Sequence, residues 1–237
     1  MGKRIIGIGL IVFILGLAGE RSLLTGLVRK NLVAALAREA QVAEGMELEI
    51  APLGLLDLLN GQVGAFSFTA DRFGFKEGPV FTNVSLHSKG MHFDPDALLQ
   101  GNFLLRALQE TVMTLELPEG ELTTMMRRDL PELEPTVFLE ENRVELEGFL
   151  ALFGKGRLPF RASAGLEKAS DHSLRLVPLG LKVADVPLWA DLFQKYAQEL
   201  SWEFPLTIPW PVRLERFQVR PGVIQMEWRE RREEVSK

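Results

Sequence analysis

Fifteen residues from Ile5 to Gly19 (IIGIGLIVFILGLAG) carry no charge and no polar side chain, and Lys3 and Arg4 stand in front of them. As a helix at about 1.5 Å per residue the run reaches roughly 22 Å, short of the roughly 30 Å hydrocarbon core. Snorkelling of Lys3 and Arg4, together with Leu23 and Leu24 beyond, would extend it. The pattern reads as an uncleaved signal-anchor, as a cleaved signal peptide ending in the small-x-small signal Gly16-Leu17-Ala18, or as a buried core helix. The basic start places the remainder outside the cytoplasm, although Arg21, Arg29, Lys30 and Arg38 follow the run. From residue 20 to 43 the apolar positions Leu24, Leu27, Val28, Leu32, Leu36 and Ala40 keep helical spacing. This predicts an amphipathic helix that packs on the domain or lies on lipid.

After Gly45 the period changes to two. Met46, Leu48 and Ile50 alternate with Glu47 and Glu49, a strand stopped by Pro52. Leu53 to Leu59 form a short leucine-rich helix ended by Asn60-Gly61, and a strand follows with Gly64, Phe66, Phe68 and Ala70 on one face. Gly78-Pro79 turns into a strand carrying Val80, Thr82, Val84 and Leu86 on one face. Asp94 caps a short helix with Pro95 at its first position. A strand over 106–117, a helix over 121–130, strands near 136–140, 143–153, 157–167 and 173–183, a helix from Pro187 to about Leu200, and strands near 212–220 and 222–228 complete the reading. Tight turns between successive strands predict an α+β fold with one continuous antiparallel sheet and one domain over 20–228. Residues 229–237 read as a charged tail.

The 237 residues carry a formal charge of −5; without Lys3 and Arg4 the 27 basic residues become 25 against 32 acidic, or −7. Such a balance argues against a nucleic-acid partner. Cysteine is absent, which excludes disulfides, thiolate metal sites and Cys nucleophiles. Gly7-Ile8-Gly9 begins a dinucleotide fingerprint, but Val12 occupies the third glycine position. No nucleophile elbow, phosphate loop or His-Glu-x-x-His occurs. His87 and His92, five apart, point to opposite faces of a regular strand, so no metal and no cofactor is expected.

Four segments in order carry a family resemblance: Ile50 to Gln62 with its Pro52 and leucine-rich turn, Phe93 to Leu99, Leu117 to Leu130, and Trp210-Pro211-Val212-Arg213-Leu214 to Trp228. From about residue 20 to 228 the chain resembles the LmeA-like phospholipid-binding proteins of bacterial envelopes. It departs from a lipoprotein by having no cysteine for attachment. The membrane as partner follows from the apolar run 5–19; the resemblance implies phospholipid as ligand, no catalysis, and a fold similar to tubular lipid-binding proteins. In those, a long curved antiparallel sheet wraps a helix and leaves an apolar groove.

Acyl chains need an apolar groove and head groups a polar mouth. The groove candidates are Leu53, Leu55, Leu56, Leu59, Phe66 and Phe68, with Phe73, Phe75 and Phe81 adding apolar surface; ordinary core packing is the alternative for each. Arg72, Lys76, Arg127 and Arg128 are the candidate head-group cations. Trp202, Phe204, Leu206 and Trp210 form either an interfacial loop or a packed connector. The competing functional reading is a membrane-anchored structural or partner-recruiting envelope protein with a fully packed core.

Overall fold

The structure is a computed structural model that describes residues 24–38, 40–76, 78–99, 104–151, 156–184, 186–187, 201–208 and 210–230. The apolar run 5–19, the expected helix beyond Pro187 and the chain after Glu230 lie outside these residues. Among the described residues no helix is long and apolar enough to cross a membrane.

Helix α1 covers residues 24–38. Val28, Leu32 and Leu36 recur every four residues and form its buried stripe, while Arg29, Lys30 and Arg38 remain exposed. The expected helix to residue 43 ends early. Strand β1 (Ala40–Glu44) instead pairs antiparallel with β4 (Phe66–Phe75). Pairing with an open sheet edge outweighs the helical preference of Ala-Gln-Val-Ala-Glu. Strand β2 (Glu47–Ile50) continues on the same edge of β4, from Glu47 opposite Thr69 to Ile50 opposite Phe66. Gly45 joins β1 to β2 at φ +62°, and a Cβ there would lie 2.1 Å from the Asp71 carboxylate. Only glycine fits both the turn and the close approach.

Helix α2 (Leu55–Leu59) is held at both ends. The Asp57 carboxylate accepts a 2.9 Å bond from the Gly54 amide. Gly61, at φ +63°, ends the helix against the Phe93 carbonyl, which would stand 2.2 Å from a Cβ. A small sheet then forms from β3 (Gln62–Val63), β6 (Gly90–Phe93) and β7 (Leu105–Gln109). Between β6 and β7 lies α3 (Pro95–Leu99), capped as expected by Asp94, whose Oδ1 accepts from the amides of Asp96 at 3.0 Å and Ala97 at 3.1 Å.

The seven-stranded sheet adds β5 (Val80–Ser88), β8 (Val112–Pro118), β15 (Val212–Arg220) and β16 (Val223–Glu230), in the order β1-β4-β5-β8-β16-β15 with β2 also on β4. Two local breaks alter the expected strands. Asn83 sits at φ +49° where the β5–β8 register shifts, so Phe81 and Val84 are both buried and Val80 and Thr82 are not. Glu110, at φ +44°, divides the strand expected over 106–117 into β7 and β8, which belong to different sheets. Because β16 runs through Glu230, the first two residues of the expected tail are strand.

Pro118 leads directly into α4 (Glu119–Asp129), whose Leu122, Met125 and Met126 are buried. Beyond it the six-stranded sheet runs β13-β12-β11-β10-β9, with β14 also on β12. Its strands are β9 (Thr136–Glu140), β10 (Arg143–Ala151), β11 (Arg157–Ser170), β12 (Ser173–Val183), β13 (Val186–Pro187) and β14 (Trp202–Pro205). The turn of the β15–β16 hairpin meets it, through Gly222 N–H to the Leu139 carbonyl (3.0 Å) and Asn142 N–H to the Val219 carbonyl (3.1 Å). Every pairing is antiparallel, so the protein is α+β and mostly β. Among the described residues the expectation of one continuous sheet is corrected to three sheets. The chain leaves the seven-stranded sheet through α4, and Glu110 separates off the three-stranded one.

Candidate functional site: an apolar groove

A groove of about 220 Å³ opens between α1 and the seven-stranded sheet. Alternation along β4 points Phe66 and Phe68 into it. The phase then slips at Asp71–Arg72, so that Phe73 and Phe75 also turn inward while Arg72 faces solvent. Leu48 of β2 and Leu86 of β5 complete the floor. Leu32, Ala35 and Leu36 of α1 roof it; Met91 of β6 and Leu104, Leu105 and Leu108 at β7 form the far wall. Trp210 closes one end, edge-on to Phe68 (centroids 6.0 Å apart) and to Phe75 (5.6 Å). Phe73 stands edge-on to both Phe68 (5.4 Å) and Phe75 (5.0 Å). These edge-to-face contacts fix the aromatic end as a rigid wall.

Among the described residues every one that lines the groove is apolar. The groove therefore offers no acid, base or nucleophile, and what it can do chemically is shelter a hydrocarbon. Asp94 stands before α3, and its amide donates to the Leu104 carbonyl at 2.9 Å. The Arg106 guanidinium and the Ala97 amide hold its carboxyl below the usual carboxylate range. That carboxylate therefore keeps α3 capped at neutral pH, on the wall that carries Leu104 and Leu105.

The expected groove residues divide. Phe66 and Phe68 line it; Leu53, Leu55, Leu56 and Leu59 do not. Leu53 is fully buried, and its amide donates to Thr25 Oγ1 at 2.9 Å, tying the start of α2 to the first turns of α1. Leu55, Leu56 and Leu59 are 50%, 74% and 62% exposed. The reason is local: a helix this short has one inward direction, and Leu58 takes it.

The expected cations also lie off the lining. Arg72 pairs with Glu44 at 3.0 Å on the solvent side of β4. Arg127 donates to the Pro135 carbonyl (2.7 Å) and to Thr136 Oγ1 (2.9 Å), and Arg128 pairs with Asp129 at 2.8 Å. Lys76 is exposed, one residue beyond the groove-lining Phe75. The connector is packed: Trp202 stacks on Phe204 at 4.7 Å, and Phe204 and Leu206 are fully buried. His87 lies 3.0 Å from Ser85 Oγ and His92 2.7 Å from the Gln109 amide nitrogen, in different sheets.

The contributions of α1, β7 and Trp210 were missed by the sequence reading. A signal existed for α1, since Leu32 and Leu36 stand on the apolar stripe that must face something. For β7 and Trp210 the alternation and the aromatic were visible, but their meeting depends on long-range topology.

A family model for LmeA-like phospholipid-binding proteins matches residues 19–228. The chain belongs to this family. No curated protein and no solved structure matches the chain significantly. With the family known, an all-apolar groove is the feature of the described residues best suited to the hydrocarbon part of a phospholipid.

Proposed function

We propose that this protein binds phospholipid without catalysing a reaction on it, at the bacterial cell envelope, with part of an acyl chain in the groove under α1. The observation that carries the reading is the wholly apolar lining of that groove in a chain of a phospholipid-binding family. The apolar run 5–19 behind Lys3 and Arg4 would hold the protein at the membrane, with the domain outside the cytoplasm. At about 30 Å³ per water-sized group, the 220 Å³ groove takes roughly seven methylenes. At about 0.8 kcal/mol per buried CH₂ these contribute roughly 6 kcal/mol, before the cost of immobilising the lipid. The groove thus shelters one chain segment, and the head group stays outside it, with Lys76 the nearest expected cation along the chain.

Full-length protein extracted in mild detergent should retain phospholipid, identified by mass spectrometry of the extracted lipid. Ala35→Phe fills the groove from its roof and should remove that lipid while leaving the circular dichroism spectrum unchanged. Equal retention by both proteins would overturn the groove as the site. Absence of lipid from both would favour the alternative of a packed structural or partner-recruiting envelope protein.

A further inference from the structure

We propose that α2 is a bilayer-docking tip, inserting Leu55, Leu56 and Leu59 into the surface of a phospholipid membrane beside the end of α1. Three leucines at i, i+1 and i+4 present one apolar side about 100° wide. They are the exposed side of a helix whose other contacts are settled, since Leu58 packs inward and Asp57 and Gly61 fix the two ends. Burying no leucine but one, a five-residue helix gains nothing from this composition within the protein.

Chain continuity commits the face to a membrane. The Leu53 amide bonds Thr25 Oγ1, so α2 starts against the first turns of α1. Thr25 follows Gly19, the end of the uncharged run, by six residues, which span at most about 20 Å. Whatever bilayer receives that run therefore lies within reach of α2. Leu27, two residues beyond Thr25 in α1, is also 44% exposed. Arg29 and Lys30, two and three residues further along α1, are exposed cations of the kind an interfacial helix carries. The inference rests on the membrane setting proposed above and adds the surface that meets the bilayer. It does not depend on the groove.

The chain has no cysteine, so Leu56→Cys places a single environment-sensitive fluorophore on the tip of the full-length protein, and Gln218→Cys places one on the exposed face of β15 as a control. The protein is reconstituted with vesicles of phosphatidylethanolamine and phosphatidylglycerol. The label at 56 should shift to the blue, lose most of its quenching by aqueous iodide and become quenched by a spin label high on the acyl chain; the label at 218 should do none of these. Adding Ala35→Phe should leave the response at 56 intact even where groove lipid is lost, which separates failure of the groove from failure of the tip. A label at 56 that stays open to iodide overturns the proposal. Protection from iodide without quenching by the lipid spin label also overturns it, because protein, either the apolar run or a second copy, then covers the tip.

Discussion

Two leucine-rich helices meet at Thr25 and Leu53, and their leucines have opposite fates. On α1 the stripe of Val28, Leu32 and Leu36 is buried and its C-terminal half roofs the groove. On α2 only Leu58 is buried, and Leu55, Leu56 and Leu59 are exposed. Leucine content does not distinguish them. Length does: α1 is long enough to bury a continuous stripe along the sheet, whereas α2 is a single turn pinned at both ends. One helix makes an internal apolar surface, and the other leaves an external one.

The sharpest way to break this contrast is at the groove floor. Phe68, 1% exposed and edge-on to Phe73 and Trp210, should cost about 3–5 kcal/mol when changed to alanine, read from urea unfolding of detergent-solubilised protein. A loss below about 1 kcal/mol would mean that the aromatic end is not packed as described. At the roof, Leu36→Ala should cost about 2–3 kcal/mol, somewhat less than a fully enclosed leucine because one side already faces the open groove. Gly45→Ala should cost about 1–3 kcal/mol from its positive φ and its collision with Asp71, and Asp71→Ala in the same chain should recover part of the loss. Against these, Leu56→Ser should change stability by no more than about 0.5 kcal/mol, since a residue 74% exposed loses little on becoming polar. A large loss there would show that α2 is covered.

The smallest expected effect concerns acid. The carboxyl of Asp94 titrates lower in the folded protein than in the unfolded chain, held down by Arg106 and then by the Ala97 amide. Its contribution is therefore complete above the ordinary carboxylate range and fades as the pH falls through the lowered value. Exchange of the Ala97 amide should quicken relative to the rest of the chain over that acid interval. Asp94→Asn, uncharged throughout, should flatten this dependence.

Much of the β-strand layout was readable from alternation, because strands with one buried face repeat every two residues. Thr136–Glu140 and Ser173–Val183 fall where the pattern put them, and the cap at Asp94 follows from its Pro95 neighbour. The departures occur where one residue breaks the period: at Asn83 the buried face slips, and at Glu110 the expected strand divides between two sheets, both residues having positive φ. Asn83 is of a type that tolerates that conformation, and Glu110 has no local signature of it. The strand Ala40–Glu44 was hidden for another reason: its residues suit a helix, and only the free edge of β4 makes them a strand. The groove was half legible. Phe66 and Phe68 follow from alternation on β4, whereas the roof from α1 and the wall from β7 depend on which surfaces the topology brings together.

The most direct test of the central claim is photo-crosslinking of the full-length protein in vesicles with a phospholipid carrying a diazirine midway along one acyl chain. Peptide mapping should place the adducts on residues 32–36 of α1, on β7 and on Trp210, and Ala35→Phe should abolish them. Adducts confined to α2 and the N-terminal run, unchanged by Ala35→Phe, would show that the groove holds no lipid.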